Sequence, residues 1–138
     1  KGLAGLSEGG FGRMASGSLV RDKLPSLTQD FKNAFEIVRA RTFKAGDKIY
    51  RAPQLGELAE KPSQWFNTRE VVTKGAAESQ SNIVKWGNPV ETLRTYEFTR
   101  NVTVYYGKVA GGKGYQILLP KDVNPSTVLR FLKERKLR

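Results

Sequence analysis

Two side chains stand inside strand patterns that would ordinarily carry apolar or neutral groups: an arginine, Arg51, and an amide, Gln116. Lys48-Ile49-Tyr50-Arg51-Ala52 reads as a short strand stopped by Pro53,. A guanidinium there offers a planar fork of donors that can grip a phosphate or a carboxylate at two points. It can equally be an edge-strand arginine whose stem is buried and whose head reaches water. Gln116 lies between Tyr115 and Ile117. Pointing into a cleft, its amide can orient a sugar hydroxyl or a carboxamide; pointing outward, it is an ordinary solvent-facing strand residue.

Just before Gln116 comes Gly111-Gly112-Lys113-Gly114. Backbone N–H groups in such a cluster can form a nest for phosphate, with Lys113 adding charge. A hairpin turn that needs positive φ angles explains the same glycines. Trp65-Phe66 can stack on a nucleobase or a nicotinamide ring, or can be core, and Tyr105, Tyr106 and Tyr115 carry the same two readings. Of the carboxylates, Glu78 in a small-residue segment and Glu97 in mid-strand are the candidates for a general base or for stabilising an oxocarbenium ion. The alternative for each is a surface salt bridge.

Composition removes other chemistry. The chain has no cysteine and no histidine. Disulfides, thiol catalysis, a Ser-His-Asp triad and histidine acid–base work are therefore excluded, and no metal site is expected. The 138 residues suit one domain with one core, and 38% hydrophobic against 27% charged residues suits a globular chain,. No apolar run is long enough to span a membrane. The formal net charge of +11 draws polyanions such as nucleic acid, nucleotides or an acidic protein,. The densest basic run, Lys133 to Arg138, reads either as a nucleic-acid contact or as favourable charge at a helix C-terminus,.

These residues need elements to hold them. Residues 1–24, rich in Gly and Ser, read as a flexible lead, and 25–138 as one catalytic domain. The first residue is Lys1, which reads as a piece of a longer protein. Leu27, Phe31, Ala34, Phe35 and Val38 have helical spacing, predicting a helix over about 27–42. A second helix is expected over 74–86, with Ala76, Ala77, Gln80 and Ile83 inward. Tyr96, Phe98, Val102, Val104 and Tyr106 share one parity, predicting a strand or a strand pair joined near Arg100-Asn101. Tyr115 to Leu119 reads as the final strand, before Pro120. Asn124-Pro125 then opens a closing helix with Val128, Leu129 and Leu132 on its inner face. The expected class is α+β: a small, mostly antiparallel sheet with an N-terminal and a C-terminal helix.

Taken together, KIYRA, QWFNT, the YEF strand, VTVYYGKVA running into glycines, GYQILLP and STVLRFLKERKL resemble the toxin domains related to the tuberculosis necrotizing toxin. These are NAD glycohydrolases at the C-termini of secreted bacterial effectors. The resemblance spans residues 48–137. It implies hydrolysis of the nicotinamide–ribose bond, with NAD as substrate and no cofactor. It also implies a role for Arg51 in phosphate binding, for Gln116 beside the scissile bond, for Arg69 as a second arginine and for Phe66 in ring stacking. The implied setting is a polymorphic or contact-dependent-inhibition effector acting in the target-cell cytoplasm, with an acidic immunity protein plugging the cleft. Two other enzymes fit the same residues. One is a mono-ADP-ribosyltransferase, in which Glu78 or Glu97 is essential. The other is a metal-independent ribonuclease acting on tRNA, which the charge favours.

Overall fold

Period-two alternation builds more of this chain than helical spacing does. The computed structural model describes residues 18–81 and 90–138. Seven strands form one antiparallel sheet: β1 (Arg39–Phe43), β2 (Lys48–Arg51), β3 (Trp65–Asn67), β4 (Thr92–Phe98), β5 (Val102–Lys108), β6 (Tyr115–Leu118) and β7 (Leu129–Lys136). Three short helices accompany them: α1 (Gln29–Lys32), α2 (Lys74–Ser81) and α3 (Pro125–Val128). The α+β class holds, with both terminal helices reduced to a single turn.

The sheet order is β1-β5-β6-β3-β2-β4-β7. It places β4 and β5 four positions apart, although three residues join them. At about 4.8 Å per neighbour a flat sheet would separate them by about 19 Å. The link from Phe98 to Val102 reaches at most about 14 Å. The sheet therefore curls, and the Phe43 ring on β1 lies 5.5 Å from the Phe98 ring on β4. Inside the curl lie Ile49, Phe66, Tyr96, Phe98, Val104, Ile117 and Leu119, all essentially inaccessible to water. The expectation of a single strand or a joined pair over 96–106 is thus corrected: β4 and β5 are consecutive but do not pair, and the hairpin partners are β5 and β6.

Two helix expectations fail for related reasons. Over 27–42 only α1 is helical. Phe35 is buried, while Phe31 and Ile37 are 46% and 68% exposed, so the helical stripe does not describe the buried side. Instead the chain crosses β5 as a strap: Glu36 N–H donates to Lys108 O and Ala110 N–H to Ala34 O, both at 2.9 Å. The closing segment is helical only to Val128 and then becomes β7, which pairs along the whole of β4 with a bulge at Thr95/Tyr96. Without β7, β4 would be an open edge of unpaired N–H and C=O groups. The basic run Lys133–Arg138 consequently lies on and just beyond this edge strand rather than at a helix end.

Other expectations hold locally. The Asn124 side chain caps α3 by accepting from Ser126 N–H at 3.0 Å. α2 begins at Lys74 with Ala77 buried; its expected continuation over 82–86, Ile83 included, lies outside the described residues. Of the expected lead, residues 1–17 also lie outside them. Leu19 already bridges to Val102, and Arg21 N–H donates to Thr103 Oγ1 at 2.9 Å. The boundary at 24 falls too late for these residues.

Candidate functional site

β3 is only three residues long, and it separates the strands that carry Arg51 and Gln116. Tyr50 is the register partner of Asn67, and Asn67 that of Gln116, so these form one cross-strand row. Arg51 belongs to the next row, with Phe66 and Ile117. The two side chains thus start from opposite sides of the pleat. β2 ends at Arg51, however, and the chain turns away through Ala52 and Pro53. A cleft of about 760 Å³ runs past this strand end and is lined by both Arg51 and Gln116, together with Phe31, Glu57, Trp65, Phe66 and Asn67. That volume is in the range of small-molecule sites.

The Gln116 amide has a set orientation. Its Nε2 donates to Ala34 O at 2.7 Å. A carbonyl can only accept, so the nitrogen must be the end that faces it. Oε1 is left without a hydrogen-bond partner among the described residues. The contact depends on Gly107, the register partner of Gln116 on β5. A Cβ on Gly107 would meet Ile37 O at 2.2 Å and Phe35 Cδ1 at 3.0 Å. Glycine there lets the strap lie against the sheet and bring Ala34 O to the amide.

Arg51 is held from two sides. Its Nε and Nη2 donate to Glu57 Oε2 and Oε1 at 2.7 and 2.6 Å, and Nη1 donates to Trp65 O at 3.1 Å. The two side chains are only 11% and 12% exposed. Glu57 ends a turn in which its N–H donates to Gln54 O at 3.0 Å. Gly56 at φ +82° supplies the left-handed residue of that turn,. Burial pushes the Glu57 carboxyl up. The Arg51 hydrogen bond and charge, the Gln54 N–H and the Arg94 charge outweigh this and hold it below the ordinary value,. Glu57 was not among the candidates drawn from sequence. The available signal was a carboxylate closing Gln54-Leu55-Gly56-Glu57, a turn six residues beyond the strand arginine.

The remaining candidates lie elsewhere or are already engaged. Phe66 lines the cleft but is 2% exposed and packs edge-on against Tyr96 at 5.4 Å, which makes it core first. Trp65 is the more accessible aromatic wall, tilted against Phe31 at 6.0 Å and Phe35 at 5.7 Å. Glu97 sits on β4 in an ion pair with Arg130 from β7, away from the cleft lining. Arg130 is the main cause of its lowered pKa. Glu78 on α2 and the exposed Arg69 do not line the cleft either.

The glycine cluster is not an anion nest. Gly112 N–H donates to Val109 O, Lys113 N–H to Ser79 O and Gly114 N–H to Gln80 O. Cβ atoms on Gly112 and Gly114 would meet Gln80 at 2.6 and 2.8 Å. These glycines therefore admit α2, and Gly112 and Lys113 have no amide left for a phosphate. Tyr115 is stacked on Tyr106 at 5.4 Å outside the cleft. Among the described residues no cluster of carboxylates could hold a metal ion, and no helix is long and apolar enough to cross a membrane.

No protein-family model matches the chain, and no curated protein matches it. Solved structures do. Tne2, solved in complex with Tni2, superimposes with a TM-score of 0.56 at 14% identity, covering 75% of this chain and 96% of that one. Tse6, solved in complex with Tsi6, gives 0.55 at 17% identity, over 81% of this chain and 85% of that one. Rhs1-CT, solved with its cognate immunity protein RhsI1, gives 0.50 at 16% identity, over 74% and 83%. The three likenesses define a shared fold.

Proposed function

We propose that this chain is the toxic domain of a polymorphic bacterial effector and that it hydrolyses NAD to nicotinamide and ADP-ribose. The observation that supports this reading most is that Arg51 and Gln116, set on strands either side of β3, line one cleft. They are the two residues that the sequence resemblance relates to phosphate binding and to the scissile bond. The fold shared with Rhs1-CT, solved with a cognate immunity protein, supports the toxin class.

The chemistry suits a site without histidine. The nicotinamide of NAD is bound as a cation and leaves neutral, taking the glycosidic electron pair, so it needs no general acid. Water adds to the ribose carbon and releases one proton. In this reading Arg51 holds a phosphate, and Trp65 with Phe31 forms an aromatic wall. Gln116 turns Oε1 towards the developing ribose cation or the attacking water, an aligned dipole that needs no reorganisation during the reaction. An acidic immunity protein fits the net charge of +11 as the partner that covers the cleft,. The site of action is the cytoplasm of a target cell.

The test is to follow intact NAD with the purified chain, in the absence of metal, beside Arg51→Ala and Gln116→Ala. Loss of NAD in the parent and none in either variant is the expected result. NAD loss that requires an added protein acceptor points to ADP-ribosyl transfer. Intact NAD with cleavage of total tRNA replaces the proposal by the ribonuclease.

A further inference from the structure

We propose that Glu57 is a positioning residue, whose carboxylate fixes the Arg51 guanidinium so that its remaining donors meet an anionic group of the ligand in the cleft. This rests on the cleft being the site of NAD chemistry. The argument starts from a donor count. Arg51 uses its Nε–Nη2 edge on Glu57 and one Nη1 hydrogen on Trp65 O. One N–H on Nη1 and one on Nη2 are left, enough for two oxygens of a phosphate or pyrophosphate.

The carboxylate is itself fixed. Glu57 Oε1 also accepts from Gln54 N–H at 3.2 Å, and Glu57 O accepts from Arg94 Nη1 at 2.9 Å. Arg94 is in turn paired with Glu134 on β7 at 3.3 Å. A chain of contacts thus runs from the edge strand through the turn to Arg51. An unpaired arginine side chain samples many rotamers and must lose that freedom on binding. Here the loss is taken during folding, and the guanidinium plane meets the ligand already set. A pair needed only for stability has no reason to line a cleft, whereas both members of this one do.

The experiment compares the parent, Glu57→Gln, Arg51→Lys and the double variant, each with its melting curve. Two quantities are read: ADP-ribose affinity by calorimetry and kcat/KM for NAD. Lysine cannot accept the two-point engagement of the carboxylate, so it removes what Glu57 acts through. The expected result is that Glu57→Gln lowers affinity and kcat/KM about tenfold to a hundredfold, while in the Arg51→Lys background it adds less than about twofold. A stabilising role alone lowers the melting temperature without changing affinity per folded molecule.

Parental affinity in Glu57→Gln, an equal loss in both backgrounds, or tighter binding overturns the proposal; the last would make Glu57 a competitor for Arg51. Should Glu57→Gln not fold, Glu57→Asp keeps the charge but is one methylene shorter, and parental affinity there overturns it equally. A parent that binds ADP-ribose but leaves NAD intact removes the hydrolysis reading, and the affinities still decide the role of Glu57. A parent that does neither removes both.

Discussion

Arg51 reaches the cleft with its charge already compensated. The buried pair with Glu57 is electrically neutral, so it attracts anions through oriented donors rather than net charge. Removing one partner strands the other. Glu57→Ala leaves a guanidinium that is 11% exposed facing only Trp65 O, and a loss of about 3 kcal/mol is expected. Urea unfolding would show it as a lower midpoint at unchanged slope. Gln116→Glu tests a different feature, the polarity of an amide. It is isosteric, but it replaces the donor to Ala34 O with a second acceptor. The carboxylate must turn away, and NAD hydrolysis is expected to fall at least about tenfold with little change in melting temperature. Wild-type activity in Gln116→Glu would show that the amide orientation does not matter. Both Arg51 and Gln116 were legible in sequence because each interrupts an apolar run. Glu57 was not, because only the closed turn brings its carboxylate back onto a residue six positions earlier.

The elements that hold these residues were harder to read. Leu27, Phe31, Ala34, Phe35 and Val38 keep helical spacing, yet the chain there is a strap, because Gly107 leaves a flat stretch of β5 on which an extended segment can lie. Local spacing reports which residues want burial and says nothing about the surface offered to them. The same limit applies to Leu129–Lys136, whose pairing is dictated by the open edge of β4. The strap makes a prediction that separates element from residue. Gly107→Ala places a Cβ 2.2 Å from Ile37 O, a backbone atom that cannot rotate away. The strap must lift, at a cost of about 1–3 kcal/mol. Ala34 O moves with it and releases the Gln116 amide. Gly107→Ala is therefore expected to lose activity although position 107 does not line the cleft. Full activity at temperatures where the variant is folded would show that the strap does not orient Gln116. Gly46 is the contrast, since a Cβ there meets nothing within 4 Å.

At the scale of the whole molecule, the curled sheet was legible as a class and not as an order. Alternation identifies strands, but no local signal places β3 between β2 and β6, and that placement is what gathers Arg51 and Gln116 at one cleft. Charge and composition can be read directly, and they set the pH behaviour. With no histidine in the chain, no side chain of ordinary pKa titrates between about pH 5 and 8,. NAD hydrolysis should accordingly be nearly flat across that range. Stability should change in acid. The Glu57 carboxyl is held below its ordinary value of 4.5, and Glu97 is held below it by Arg130. A carboxyl whose folded pKa is lowered binds protons more weakly folded than unfolded. Its contribution is complete above about pH 4.5, the unfolded value, and disappears as the pH falls through the folded value. The melting temperature is thus expected to hold steady from neutrality to about pH 5 and to drop steeply below it. Glu57→Gln, which has no proton to take up at this position, should start lower and fall less steeply. Parallel acid slopes for the parent and Glu57→Gln would mean that Glu57 is not held ionised by Arg51 in the folded chain.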